Sequence, residues 1–251
     1  MAEQGPSPEP VELPVGRAGL RPQVVPVGWT VRDVIWGTLL GAALFVAVAV
    51  LAALARARLA GEAVSGLQST LVAVLELVLL VPAWLLGVRK PGMRWGHLGF
   101  RRFDLAVGCL AATGLLFAGL WFNVGWNLLL QRLGWPGQPD LLPLFGSGIG
   151  GVLLALLATA IVAPIAEETF FRGFMLPPLR QRLGLWPAVA IDAALFALIH
   201  LTPAALPPLF CLGAFMCLLF HYTGSLWPPI LLHASYNTLG ILVRYVLRGA
   251  V

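Results

Sequence analysis

Ala163-Pro164-Ile165-Ala166-Glu167-Glu168-Thr169-Phe170-Phe171-Arg172-Gly173 closes an uncharged apolar run that begins at Ile149. The run is long enough to lie in a bilayer as a helix, and the helix is expected to continue through the charges that follow. A carboxylate near a bilayer centre costs about 2.5–3.5 kcal/mol on insertion scales, so an intramembrane pair marks a functional site by default. Two further polar pairs lie downstream in apolar stretches, Phe196 with His200 and His233 with Asn237, each four residues apart. Carboxylates, histidines and a carboxamide held among hydrophobic helices read as an intramembrane hydrolase.

The rest of the chain agrees with a membrane setting. Of 251 residues, 59% are apolar and 11% charged, and the mean hydropathy is +0.88, which excludes an ordinary soluble enzyme. Uncharged runs of spanning length predict an all-α, polytopic helix bundle of about seven spans, near 34–55, 67–88, 105–130, 149–173, 186–201, 206–220 and 226–243. The active-site cavity is expected within the bilayer. Leu179 to Leu183, after Pro177-Pro178, is expected as a short interfacial helix. Residues 1–28 hold six prolines and no long apolar run, so they read as a disordered tail, and residues 29–251 as a single membrane domain.

Sixteen Lys and Arg against eleven Asp and Glu would suggest nucleic acid in a soluble protein. Here they are loop charges that set orientation, and no nucleic-acid partner is expected. The loop from Arg89 to Arg102 holds five basic residues, and Arg180, Arg182, Arg17, Arg21 and Arg32 fall on the same side if the spans alternate. The positive-inside bias makes that side, with the N-terminus, cytoplasmic, in what is expected to be a bacterial cytoplasmic membrane. Trp29, Trp36, Trp84, Trp95, Trp135, Trp186 and Trp227 fall near expected span ends, as an aromatic belt does. Cys109, Cys211 and Cys217 show no paired spacing and read as packing residues.

On a helix, Glu168 and Arg172 have the favourable order for an ion pair, while Glu167 points about 100° away around the axis. One carboxylate is then charge-paired and the other is free to act as a general base. Pro164 has no N–H for the carbonyl of Ala160, so a bend is expected just before the pair. An imidazole and a carboxamide side by side, His233 and Asn237, suit an oxyanion, and His200 can share the base's proton. Glu76, Asp192, Asn123 and Asn127 read as interhelical glue, and His97 and His221 as loop-edge residues without a role. The competing reading of the whole set is a polar network that only locks helices together.

Three segments, Glu167-Glu168-Thr169-Phe170-Phe171-Arg172-Gly173, Phe196-Ala197-Leu198-Ile199-His200 and His233-Ala234-Ser235-Tyr236-Asn237, resemble in order the motifs of the CPBP family. These are intramembrane proteases that include the type II CAAX prenyl endopeptidases and many bacterial relatives. The run Phe220 to Ile230, with Gly224-Ser225-Leu226-Trp227, also resembles the approach to the family's last motif, so the resemblance covers about 149–240. It implies that Glu167 with His200 activates water, that His233 and Asn237 form the oxyanion hole, that Glu168 and Arg172 orient the site, and that Phe196 lines it. It also implies an endopeptidase acting on a membrane-associated peptide, a lipidated protein or a CAAX-like tail. A metal-free glutamate and histidine mechanism is favoured and no cofactor is expected, although Glu167, His200 and His233 could ligate a divalent metal such as zinc. No His-Glu-x-x-His, Gly-x-Ser-Gly or Gly-x-Gly-Asp motif occurs, which sets aside three other protease classes. The alternative is a catalytically silent scaffold or a bacteriocin-immunity-type membrane protein. The sequence carries no signal of oligomeric state.

Overall fold

In lipid every backbone N–H and C=O must find a partner within the chain, so apolar runs of this length become helices. The computed structural model describes residues 20, 22–23, 26–56, 71, 73–140, 142–146 and 148–249. Among the described residues there is no strand. Eight helices run in order: α1 (Val31–Arg56), α2 (Ala73–Val88), α3 (Trp95–Leu98), α4 (Leu105–Arg132), α5 (Gly148–Leu183), α6 (Leu185–Leu198), α7 (Leu206–Thr223) and α8 (Trp227–Gly249). Most of the tail expected over 1–28, and the start of the second expected span, lie outside the described residues.

Five stretches are long and apolar enough to cross a membrane: Val31–Leu54, Leu105–Arg132, Gly148–Leu183, Pro203–Thr223 and Trp227–Leu247. The chain is an integral membrane protein. Two of the seven expected spans, Ala73–Val88 and Leu185–Leu198, are shorter apolar helices. The stretch expected to be barely long enough, 206–220, gains length from a 3₁₀ lead-in at Pro203–Ala205.

Burial ranks the helices. Only 17% of the most apolar window of α1 is buried against 44% for α5, so α5 is central and α1 faces lipid with Ile35, Trp36, Leu39, Val46 and Leu51. The entire segment Thr169–Met175 is buried. Its phenylalanines pack with Phe196, Leu212, Met216 and Leu226 in one core. Helix α6 lies along α7, α7 along α4, and α8 crosses both α4 and α5.

Helix α5 runs unbroken through its prolines, contrary to the expected end of the span at 173 and the separate helix at 179–183. It does so by widening into π turns at Leu156–Val162 and Thr169–Met175, and Pro164, Pro177 and Pro178 open the α-helical segments that follow. Prolines leave carbonyls without an N–H donor, and in lipid other groups must supply one. The carbonyl of Phe174 would be paired by residue 178 in an α-helix. Residue 178 is proline, and the indole N–H of Trp29 donates to that carbonyl instead, at 2.7 Å. Trp29 is therefore no belt residue: it is 2% exposed and its ring stacks on Phe174. Trp36, Trp84, Trp95, Trp135, Trp186 and Trp227 are exposed, as belt residues are.

The N–H of Gln23 donates to the carbonyl of His221 at 2.8 Å. Arg180 donates to the carbonyl of Gln23 and meets the His221 ring. His221 is thus a buried residue of the last turn of α7, which corrects its reading as a loop-edge group. His97 is likewise buried, in α3.

Candidate active site

The site grows from the α-helical segment Ala163–Glu168, set between the two π turns of α5. In the first π turn the N–H of Ala163 donates to the carbonyl of Ala158, five residues back. The next carbonyl in that register, of Thr159, would take the N–H of residue 164, which is proline. It accepts instead from Nδ2 of Asn237 on α8, at 2.6 Å. The disturbance expected at Pro164 is thus a π turn, and it ties the third motif to the first. One of the two amide hydrogens of Asn237 is committed here.

Glu168 and Arg172 pair as their spacing predicts, Nη1 donating to Oε1 at 3.0 Å with both side chains fully buried. The guanidinium is held on every side. Nη2 donates to the carbonyl of Gly213 at 3.0 Å, Nε lies 3.5 Å from Asp192 Oδ1, and the plane sits 4.5 Å from the Phe196 ring centre. A fork of donors is suited to several acceptors at once, which an ammonium group is not. Gly213 is required for this approach, because a Cβ there would stand 3.1 Å from Ala193 Cα and 3.2 Å from Arg172 Nη2. Asp192, read as glue, is part of the same network and also accepts from Cys217 Sγ at 3.1 Å.

Oε1 of Glu168 accepts a second bond, from Nδ1 of His233 at 3.0 Å. With Nδ1–H fixed on that carboxylate, the other nitrogen, Nε2, is directed to Glu167, 4.0 Å from its Oε2. That oxygen is buried and has no hydrogen-bond partner among the described residues. Two polar atoms about 4 Å apart are too far for a direct bond and close enough to share one water. The imidazole that meets Glu167 is therefore His233.

His200 reaches the site by another route. Helix α6 ends at Leu198, so His200 lies in the turn beyond it, and not within a helix to 201 as expected. Leu201 closes the turn with φ of 51°, a left-handed conformation costing a side chain about 1–2 kcal/mol. His200 Nδ1–H donates to the carbonyl of Phe196 at 2.8 Å, which leaves Nε2 free. The ring of Phe196 stands edge-on to both His200 and His233, at 5.0 and 5.6 Å. Phe196 thus holds both histidines and Arg172.

The α2 residue Glu76 lies close to Glu167 and within electrostatic reach of His200 and His233. Sequence reasoning left it as interhelical glue, and its one signal was a lone charge within an apolar run. Thr159 and Gly213 act through backbone carbonyls, which no side-chain pattern reveals. No group of three or more His, Cys, Asp or Glu side chains is arranged to hold a metal ion among the described residues. Glu167, His200 and His233 do not form a ligand cage in this geometry.

Residues 148–239 match the family model described as type II CAAX prenyl endopeptidase Rce1-like, so the resemblance read from the three motifs is shown over that segment. A protein of Escherichia coli named "Uncharacterized 24.3 kDa protein" is 37% identical over 125 residues, 47% of this chain and 58% of its own length. "Putative membrane peptidase YdiL" of Bacillus subtilis (strain 168) is 27% identical over 96 residues, 38% of this chain and 39% of its own length. The matches thus span less than two thirds of these relatives. No solved structure matches.

Proposed function

We propose that the protein is an intramembrane endopeptidase that hydrolyses a peptide bond with water activated by Glu167. The observation that carries this reading is the unpartnered Glu167 Oε2, buried and facing His233 Nε2 at 4.0 Å. A desolvated carboxylate with a free lone pair facing an imidazole is what a general base requires. As the water oxygen attacks the scissile carbonyl carbon, its proton passes to Glu167 and the carbonyl electron pair moves to oxygen. Nε2–H of His233, whose ring is held by Glu168 through Nδ1, and the second amide hydrogen of Asn237 receive that oxyanion. The C–N bond then breaks, and the leaving nitrogen takes the proton from Glu167 through His200. Arg172 holds Glu168 aimed at His233.

The substrate we propose is a membrane-associated or lipidated peptide of CAAX type, in keeping with the family description. The setting is a bacterial cytoplasmic membrane with the N-terminus inside, as the loop charges suggest. The test uses purified protein in detergent with farnesylated and unmodified CAAX peptides, cleavage being followed by mass spectrometry. Glu167→Gln keeps shape and removes basicity, so turnover falls at least about 100-fold. Full turnover by Glu167→Gln with none by Glu168→Gln would reverse the two roles. Absence of cleavage by the wild type on both peptides would favour the scaffold reading.

A further inference from the structure

Asp192 lies on α6, outside the three motifs and one helical turn before Phe196, and it is fully buried. An acid enclosed in a membrane bundle needs partners. From α7 the thiol of Cys217 donates to its Oδ1 at 3.1 Å, and from α5 the guanidinium of Arg172 brings Nε to 3.5 Å from the same oxygen. The second distance is an ion-pair contact and too long for a hydrogen bond. Cys217 thus holds the carboxyl group from α7, and the carboxyl group faces one edge of the guanidinium.

The pair of Arg172 with Glu168 is incomplete. Nη1 donates to Oε1 at 3.0 Å, while Glu168 Oε2 and Arg172 Nε have no hydrogen-bond partner among the described residues. A guanidinium and a carboxylate otherwise favour two parallel bonds. Here Nη2 is committed to the Gly213 carbonyl and Nε is drawn to Asp192, so the fork does not turn to span both oxygens of Glu168. We infer that Asp192 is a positioning residue that holds Arg172 out of a bidentate pair with Glu168 and so keeps Glu168 Oε1 aimed at Nδ1 of His233. The inference rests on the reading of His233 as the oxyanion donor. Without Asp192 the guanidinium is free to close on both oxygens, and Oε1 leaves its 3.0 Å bond to His233. The imidazole then loses its aim, and misplacement of a reacting group by about 1 Å is enough to lose about 100-fold in rate.

The tests separate an acceptor for Arg172 from mere filling of space. Asp192→Asn keeps the shape and an oxygen acceptor, Asp192→Leu keeps the bulk without one, and Asp192→Ala replaces the leucine variant if that one does not fold. Each is compared with wild type for kcat, KM and thermal midpoint in detergent. In Asp192→Leu, kcat falls about 10- to 100-fold with KM little changed, and Asp192→Asn turns over at least about tenfold faster than Asp192→Leu. Equal loss in both variants, or full turnover by Asp192→Leu, overturns the inference. Absence of folded protein for both Asp192→Leu and Asp192→Ala overturns it as well, because the acid then serves the fold and not the aim of one bond.

A second readout does not depend on turnover. In protein carrying isotope-labelled histidine, the hydrogen-bonded Nδ1 proton of His233 is assigned in the NMR spectrum by its absence from His233→Asn. It is retained in Asp192→Asn and shifted or lost in Asp192→Leu. An unchanged signal in Asp192→Leu means that the bond between Glu168 and His233 does not depend on Asp192, and the inference fails. If the wild type cleaves neither peptide, the protease reading falls while the His233 proton still decides whether Asp192 governs that bond.

Discussion

Asn237→Ala tests the claim that a proline on α5 dictates a contact to α8. The substitution removes the amide that reaches the Thr159 carbonyl at 2.6 Å. In the π register the backbone donor for that carbonyl would be residue 164, a proline without an N–H. An orphaned carbonyl inside a membrane protein costs about 1–3 kcal/mol, and each kcal/mol moves the thermal midpoint of a chain this size by about 2–4 °C. Pro164→Ala restores a backbone donor, whether the segment keeps its π turn or relaxes to an α-helix. The penalty of Asn237→Ala should therefore shrink by at least about 1 kcal/mol in the Pro164→Ala background. The assay is thermal unfolding in detergent of wild type, the two single variants and the double variant, followed by circular dichroism. Turnover behaves differently: it is lost with Asn237→Ala in both backgrounds, because the proposed oxyanion donor is gone. Penalties that add within about 0.3–0.5 kcal/mol refute the proline argument.

Trp29→Phe keeps the stack on Phe174 and removes the indole donor. It should cost about 1–3 kcal/mol, and Pro178→Ala should recover part of that; an unchanged midpoint would mean that the Phe174 carbonyl has another donor. Purified protein should carry well under one zinc per chain and keep its turnover after dialysis against a strong chelator. Stoichiometric zinc whose removal stops cleavage would replace the glutamate mechanism by a metal one. His97, in α3 outside the spans, is buried, and desolvation holds its imidazole below the ordinary 6.5. The fold thus favours neutral His97, whose contribution is complete above about pH 6.5 and is lost as pH falls through the depressed value. The thermal midpoint of wild type should drop more steeply from about pH 7 to about pH 5 than that of His97→Asn, and equal slopes would exclude His97 as the cause.

Much of the site was legible locally. Glu168 and Arg172 could be paired from their spacing because both ends of that bond lie on one helix. Asn237 could be named from its motif, and so could Phe196, but their partners could not. Asn237 found a carbonyl 78 residues away, and the Phe196 ring found an arginine and two histidines. Glu76 was visible as a lone charge and Asp192 as a residue one turn before Phe196. Neither could be assigned to the site, because nothing local says which face of a hydrophobic helix turns inward when every face is apolar.

What the sequence determined by itself is the class of the molecule and the inventory of its chemistry. Apolar runs must become helices in lipid, and charges within them must be enclosed, so the membrane bundle follows from composition and spacing, while the three motifs were read from their resemblance to a family. Only the tertiary structure decided the pairings: His233 set between Glu168 and Glu167, Arg172 shared with Asp192 and the Gly213 carbonyl, and Trp29 on the Phe174 carbonyl. The reason is physical. A proline or a buried charge creates a demand for a partner that can be read locally, but the supply comes from another helix, and helix packing determines which group arrives within about 3 Å.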